Sequence, residues 1–203
     1  FFALGSVQDE QIDIPKTRFA ELNDLSDDVE YSSATRREIE LLIKHLHNRK
    51  ELPLIEVPAA LQATLRPYQI QGLAWLSALD GFNFGGCLAD DMGLGKTLQI
   101  IALLLTQRKQ ANQRTALIVV PTSLLFNWES EIKTFAPSLS AHILYGKGRD
   151  LSSAEWLQFD VLITTYGVMV SDLARLKKFS FDMIILDESQ AIKNPNSIRY
   201  KSA

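Results

Sequence analysis

A five-residue run in the middle of the chain, Gly93-Leu94-Gly95-Lys96-Thr97, has residue types that bind phosphate groups. A phosphate chain needs open backbone N–H groups, the positive end of a helix dipole, a cation and a hydroxyl for Mg²⁺. The glycines, a helix beginning at the second glycine, the lysine and the threonine would supply these in turn. The strict phosphate loop has another glycine where this chain has Asp90. The alternative is an ordinary strand-to-helix turn with a solvated lysine.

A second chemical signal lies near the end of the sequence, where the apolar run 183–186 is followed by Asp187 and Glu188. In a phosphate-loop site, such an aspartate helps to hold Mg²⁺, and the adjacent glutamate can orient and deprotonate the attacking water. Taken alone, the acidic pair could simply cap a following helix. Its occurrence together with a phosphate loop favours a nucleoside triphosphatase.

The elements that must position these residues alternate between helices and apolar strands. Helices are predicted from Pro67 to Leu79, from Gly95 to about Arg108 and from Ser123 to Phe135. Strands are predicted over residues 85–89, 116–120, 142–145, 161–165 and 183–186. Continuous apolar strands separated by helices indicate an α/β fold with a mainly parallel sheet covered on both faces. Ligands bind such sheets at the carboxyl ends of the strands.

The first 58 residues are predicted to be a small, mostly helical segment, either the end of a preceding domain or a brace. Thr35 and Glu38 have capping-box spacing, and apolar residues recur at helical intervals from Ile39 to Leu46. The stretch 51–58 contains two prolines and resembles a linker. We therefore place a domain boundary near residue 58 and a second domain over 59–203.

The composition is that of a globular protein, with 203 residues, 46% of them hydrophobic and 22% charged. Residues 1–60 carry 7 basic and 12 acidic side chains, and residues 61–203 carry 14 and 12, for a net charge of −3. The slight basic excess of residues 61–203 permits contact with phosphates, but it is weaker than the basic excess of dedicated nucleic-acid modules. The lone cysteine, Cys87, excludes an internal disulfide framework and indicates a reducing, intracellular setting.

Several stretches, taken in order, resemble motifs of the Swi/Snf family of helicase-related ATPases within superfamily two. Residues 65–76 resemble its Q motif, 88–99 motif I, 120–128 motif Ia, 163–166 a further motif and 187–195 motif II. The family also has an aspartate or similar residue at the position of Asp90. Motif II normally has alanine or glycine where this chain has Ser189. Five motifs covering about residues 61–196 make the resemblance specific.

The resemblance implies a RecA-like lobe that binds ATP with Mg²⁺ and contributes to DNA-stimulated hydrolysis. A glutamine at position 69 would read the adenine, and Lys96, Asp187 and Glu188 would be catalytic. Thr97 and Asp187 would hold Mg²⁺. The full set of implied nucleotide contacts is Arg66, Gln69, Asp90, Met92, Gly93, Leu94, Gly95, Lys96 and Thr97.

The resemblance also implies contact with double-stranded DNA. Thr122, Ser123, Thr164 and Thr165 would face the DNA backbone through hydroxyls that position a protein without reading sequence. Turn or helix-cap chemistry is the alternative for each of them. Gln190 would couple the nucleotide site to the DNA site.

Members of the family translocate along DNA and remodel protein–DNA complexes, and their second RecA-like lobe supplies arginines to the γ-phosphate. We expect this chain alone to be nearly inactive, because an arginine finger is worth about 10³–10⁵ in rate. The absence of insertions between motifs favours a compact bacterial version, in the cytoplasm with the nucleoid rather than in a nucleus.

Two other functions remain open: a generic P-loop phosphotransferase, and a non-catalytic module that responds to nucleotide. The first does not explain the Q motif or motif Ia, and the intact acidic and phosphate-binding residues argue against the second. The ATPase interpretation requires Lys96 and Glu188 to converge on one terminal phosphoryl group.

Overall fold

The computed structural model describes residues 6–8, 11–13, 37, 55–82, 84–91, 93–108 and 115–202. The chain divides into two compact units, Phe1–Ile55 with Ala74–Leu88, and Glu56–Leu73 with Ala89–Ala203. The first division lies close to the boundary expected near residue 58. The assignment of 1–58 and 59–203 as domains stays a prediction.

The first unit contains two short strands, β1 (Ser6–Gln8) and β2 (Gln11–Asp13), which pair antiparallel with Val7 opposite Ile12. The sequence did not indicate this pair, because three-residue strands are too short to show an alternating pattern. Arg37, inside the helix predicted from Thr35, is helical. The rest of that helix lies outside the described residues.

Helix α1 (Pro67–Gly81) begins with a proline. Proline has no N–H, and this costs nothing at the first helical position because an N–H there has no acceptor within the helix. The strand predicted over 85–89 was wrong: residues 84–91 form no strand, and Cys87, which it would have buried, is exposed. The glycines in this stretch have no side chain to pack in a sheet, and they lose more backbone entropy on folding than other residues do. Gly86 instead lies against α1, where an added Cβ would come within 2.6 Å of Leu79 Cδ1.

The second unit contains the predicted alternation of helices and strands. Strands β3, β5 and β6 have the predicted bounds, whereas β4 lies slightly earlier than predicted. The elements are α2 (Lys96–Arg108), β3 (Ala116–Val120), α3 (Leu125–Phe135), β4 (Ala141–Ile143), α4 (Ser153–Trp156), β5 (Val161–Thr165), α5 (Tyr166–Ser171), α6 (Leu173–Leu176), β6 (Met183–Leu186) and α7 (Ile198–Ser202). The predicted third helix begins as a 3-10 turn over Thr122–Leu124 before α3.

The four strands β3 to β6 form one parallel sheet in the order β4-β5-β3-β6. Every residue of β3 and β5 is buried, as expected of strands covered on both faces. Val120 pairs with Thr165, and Val119 pairs with Leu186. The carboxyl ends of β3, β5 and β6 therefore lie side by side, and the residues that follow them share one edge of the sheet.

Candidate active site

The loop before α2 has the backbone shape that a phosphate chain requires. Gly93 and Gly95 have φ angles of +83° and +72°, in the left-handed region that favours glycine. A Cβ added at Gly93 would meet no heavy atom within 4 Å, so the backbone is open there. Lys96 and Thr97 follow in the first turn of α2, where free N–H groups and the helix dipole favour an anion. This cradle suits a chain of phosphate groups.

The loop's own backbone orients Lys96. Its Nζ donates hydrogen bonds to the carbonyl oxygens of Asp90, at 2.7 Å, and Asp91, at 3.0 Å. Asp90 is anchored in turn, because Gln99 Nε2 in α2 donates to its Oδ2 at 3.3 Å. An aspartate therefore has a structural role where the strict loop has glycine. Met92 lies outside the described residues.

Gln69 connects the start of α1 to the phosphate loop. Its Oε1 accepts a hydrogen bond from the N–H of Arg66 at 2.8 Å, and its Nε2 donates to the carbonyl of Leu94 at 3.1 Å. The Tyr68 hydroxyl donates to the same carbonyl at 3.0 Å. The Gln69 side chain is buried and that of Arg66 is exposed. Contact of either residue with the nucleotide stays a prediction.

Replacing Gly95 by alanine is expected to cost more stability than replacing Gly93. Both changes place a side chain at positive φ, which costs about 1–2 kcal/mol. Only the Gly95 Cβ would also meet another group, Gln69 Nε2 at 2.5 Å, and displacing that amide loses a hydrogen bond worth about 1 kcal/mol. Urea unfolding should therefore separate the two variants by about 1 kcal/mol, and a Gln69→Ala background should remove that difference. Equal losses of unfolding free energy in the two variants would show that the Gln69 side chain moves aside without cost.

The acidic pair after β6 has a constrained backbone. Asp187 N–H donates to the Val119 carbonyl at 2.9 Å, which continues the pairing of β6 with β3. Glu188 has φ 50° and ψ 50°, and it is the one non-glycine residue with positive φ in the described part of the chain. A non-glycine residue in this region costs free energy and persists where the surroundings fix it, often at functional sites. Gln190 Nε2 donates a hydrogen bond to the Glu188 carboxylate.

Two aromatic residues contact Asp187. Both lie in stretches that resemble family motifs, but neither was among the predicted site residues. Trp128 Nε1 donates to Asp187 Oδ2, and the Tyr166 hydroxyl donates to the Asp187 carbonyl, each at 2.8 Å. Burial, and then the charges of Asp187 and Glu188, raise the pKa of Tyr166 to about 12. The Tyr166 hydroxyl thus keeps its proton and remains a donor. Burial and the charge of Asp187 also raise the pKa of Glu131.

The four residues expected to face DNA differ in their surroundings. Thr122 and Ser123 are exposed in the 3-10 turn after β3. Thr164 is fully buried and donates to the Leu144 carbonyl at 3.0 Å, and Thr165 caps α5 by accepting from the Val168 N–H. Thr165 thus has the helix-cap role that the sequence left open as its alternative, whereas the hydrogen bond of Thr164 joins β5 to the residue after β4 and is neither turn nor helix-cap chemistry.

The structure thus builds two clusters: the phosphate loop with Gln69, and the acidic strand end with its aromatic partners. Within the described residues, no hydrogen bond or ion pair joins Lys96 or Thr97 to Asp187 or Glu188. Convergence of Lys96 and Glu188 on one phosphoryl group stays a prediction. So does the Mg²⁺ site formed by Thr97 and Asp187.

Comparison with known proteins gives the family. Residues 68–203 match the SNF2-related domain, which covers more than half of the chain. The chain belongs to the SNF2-related domain family. The SNF2-related match includes the phosphate loop, the 3-10 turn after β3 and the acidic strand end, and it confirms the family suggested by the motifs.

Individual SNF2-related proteins are similar over most of this chain. YwqA of Bacillus subtilis, provisionally named an ATP-dependent helicase/translocase, is 43% identical over 166 residues, which is 79% of this chain and 18% of YwqA. Helicase SWR1 of Eremothecium gossypii is 43% identical over 164 residues, or 76% of this chain and 11% of SWR1.

A solved structure of the same family confirms the fold. The Sulfolobus solfataricus SWI2/SNF2 ATPase core in complex with dsDNA has a TM-score of 0.68 and 40% identity, covering 73% of this chain and 31% of that chain. The parallel sheet flanked by helices therefore has the fold of one part, about a third, of an SWI2/SNF2 ATPase core. In the described part of the chain, no helix combines the length and apolar character needed to cross a membrane.

Proposed function

We propose that the full protein is a DNA-dependent ATPase and translocase that remodels protein–DNA complexes, and that this chain is its first RecA-like, ATP-binding lobe. The observation that carries the proposal is a glycine cradle at the start of α2 together with an acidic end of β6, within one SNF2-related unit. A generic phosphotransferase would not account for the family match.

Different residues of the chain have different roles in ATP binding and hydrolysis. The loop glycines and the N–H groups that begin α2 bind the phosphates, and Lys96 supplies the positive charge beside them. Thr97 and Asp187 would supply two oxygen ligands for Mg²⁺, and the bound ion would neutralise phosphate charge. Among the described residues, no cluster of three metal-binding side chains occurs, and Mg²⁺ bound with phosphates needs one or two protein oxygens. Glu188 accepts the proton of the attacking water.

Double-stranded DNA and a protein complex bound to it are the proposed partners. The Sulfolobus relative is described in complex with dsDNA, and Thr122 and Ser123 are exposed at the carboxyl edge of the sheet. Hydroxyls and backbone N–H groups at such an edge suit phosphate contacts. The internal hydrogen bonds of Thr164 and Thr165 favour a supporting role for these two residues.

Three further assignments accompany this function. We propose residues 1–58 as the end of a preceding domain or a brace and 59–203 as the lobe. Gln190, hydrogen-bonded to Glu188, would couple the ATP site to DNA. The bacterial relative YwqA supports a protein of the bacterial cytoplasm.

The proposal is tested by measuring ATP hydrolysis by the full-length protein across a duplex-DNA titration. We expect DNA to stimulate hydrolysis, and Thr122→Val with Ser123→Ala to raise the DNA concentration for half-maximal stimulation about tenfold. Two lost hydrogen bonds of about 0.5–1 kcal/mol each give that factor. Hydrolysis that no nucleic acid stimulates would contradict the function.

The matched control removes two exposed hydroxyls from the opposite edge of the same sheet. Ser138 precedes β4 and Ser180 precedes β6, so both lie at amino ends of strands. Replacing both by alanine should leave the half-maximal DNA concentration within about twofold of the parent, because surface changes away from a contact have small effects. An equal rise in this control would mean that the carboxyl edge is not the DNA-facing side.

A further inference from the structure

The indole of Trp128 fixes one oxygen of the carboxylate proposed to hold Mg²⁺. Trp128 Nε1 donates to Asp187 Oδ2 at 2.8 Å, and the Glu188 N–H donates to Oδ1 at 2.9 Å. Each oxygen thus accepts one defined hydrogen bond, which holds the plane of the carboxylate. A carboxylate oxygen has two lone-pair positions, so each oxygen keeps one for another ligand.

The setting of this hydrogen bond makes it strong and rigid. Trp128 is 4% exposed, and an indole has one N–H donor and no acceptor, so it cannot reverse the direction of the bond. A donor to an ionised carboxylate also forms a stronger bond than a donor to a neutral acceptor. Buried aromatic rings resist displacement because the surrounding packing is dense. The indole is therefore suited to orient a metal-binding carboxylate.

The same indole links the acidic site to the turn that we propose faces DNA. Trp128 lies in the first turn of α3, and α3 follows directly on the 3-10 turn Thr122–Leu124. The hydrogen bond from Trp128 Nε1 to Asp187 therefore joins the helix that follows this turn to the acidic end of β6.

We propose that Trp128 is a positioning residue for ATP hydrolysis, which orients the Asp187 carboxylate toward Mg²⁺ through its indole N–H. This inference rests on the proposed ATPase function. Partners in the outer shell of a metal site commonly change metal affinity by about 10–100-fold when they are removed. Loss of the indole N–H should therefore raise the Mg²⁺ requirement of the enzyme.

Two substitutions of Trp128 separate the hydrogen bond from the packing of the ring. Trp128→Phe keeps an aromatic ring and removes the donor. Trp128→His keeps a five-membered ring and removes the six-membered ring of the indole. The imidazole Nε2 and the indole Nε1 are both two bonds from Cγ, so histidine can place an N–H donor at a similar position. Trp156→Phe is the matched control, because Trp156 is 1% exposed and its Nε1 has no hydrogen-bond partner among the described residues.

The first measurement is the Mg²⁺ concentration for half-maximal, DNA-stimulated hydrolysis by the full-length protein. We expect Trp128→Phe to raise it about tenfold, Trp128→His to recover most of that change, and Trp156→Phe to leave it within twofold. An unchanged value in Trp128→Phe would overturn the proposal. Equal impairment of both Trp128 variants would also overturn it, because the ring's packing would then be the cause.

The second measurement needs no nucleotide, metal or activity. The chain has three tryptophans, so a ¹⁵N–¹H spectrum of this chain shows three indole signals, and the Trp128 signal is the one that Trp128→Phe removes. We expect Asp187→Ala to move the Trp128 signal and to leave the Trp156 signal in place. An unmoved Trp128 signal would refute the contact. A parent protein without ATPase activity would refute the proposed function, and this spectrum would still decide the contact.

Discussion

Glu188→Gln in the full-length protein is expected to lower the kcat of ATP hydrolysis by about 10²–10⁴-fold, which is the typical contribution of a general base. ATP binding should stay close to that of the parent, because the change leaves the phosphate loop intact. Single-turnover hydrolysis and equilibrium binding of labelled ATP would measure the two effects separately. A large loss of kcat with binding retained would place Glu188 at the chemical step.

The geometry makes glutamine a clean replacement at this position. Glu188 has a left-handed backbone with φ 50°, and glutamine has the same length and the same backbone cost. Gln190, the hydrogen-bond partner of Glu188, can reorient its amide to meet another amide. The carboxylate's capacity to take a proton is therefore the main property that changes.

Glu129→Gln provides a control for removal of a negative charge from the same unit. Glu129 lies on α3 and forms an i,i+4 ion pair with Lys133 at 2.9 Å, which is an ordinary helix-surface pair worth a few tenths of a kcal/mol. We expect its kcat to remain within about twofold of the parent. If Glu188→Gln hydrolysed ATP as fast as Glu129→Gln, Glu188 would not be the general base of the reaction.

The sequence predicted the bounds of strands β3, β5 and β6. Strands β3 and β5 are buried at every position, and each appears in the sequence as a run of apolar or β-branched residues with clear ends. The stretch 85–89 also contains apolar residues, but Gly85 and Gly86 interrupt it, and glycine supports close approach as readily as a strand. Apolar content alone therefore did not distinguish a strand from an extended, unpaired segment.

The sequence predicted the residue types of the candidate site more fully than their partners. Trp128 and Asp187 are 59 residues apart, and their hydrogen bond depends on the parallel pairing of β3 with β6, which sequence spacing does not specify. Thr164 and Thr165 are the last two residues of β5, where a DNA contact was expected, yet a hydroxyl at a strand end can equally bond to a neighbouring strand or cap a helix. Three-dimensional neighbours decide between these uses.

The Trp156 side chain is expected to stabilise the lobe more than other single core residues. It is 1% exposed in the cluster formed by residues of β3, β5 and the helices after β5. Its ring lies 5.4 Å from that of Phe179 and 6.1 Å from that of Phe181, and the Arg175 guanidinium lies 4.4 Å from its centroid. Replacing a buried tryptophan with alanine removes these contacts and leaves a cavity, which costs about 3–5 kcal/mol.

Trp156→Phe should cost much less than Trp156→Ala, because it keeps an aromatic ring and removes a polar group that has no partner. Phenylalanine leaves a smaller cavity than alanine does, and an unsatisfied buried donor carries a penalty of about 1–3 kcal/mol that the change to phenylalanine removes. Urea unfolding of this chain, with m unchanged, should therefore place Trp156→Phe near the parent and Trp156→Ala far below it. If the phenylalanine variant lost as much stability as the alanine variant, the indole N–H of Trp156 would have a hydrogen-bond acceptor, such as a buried water.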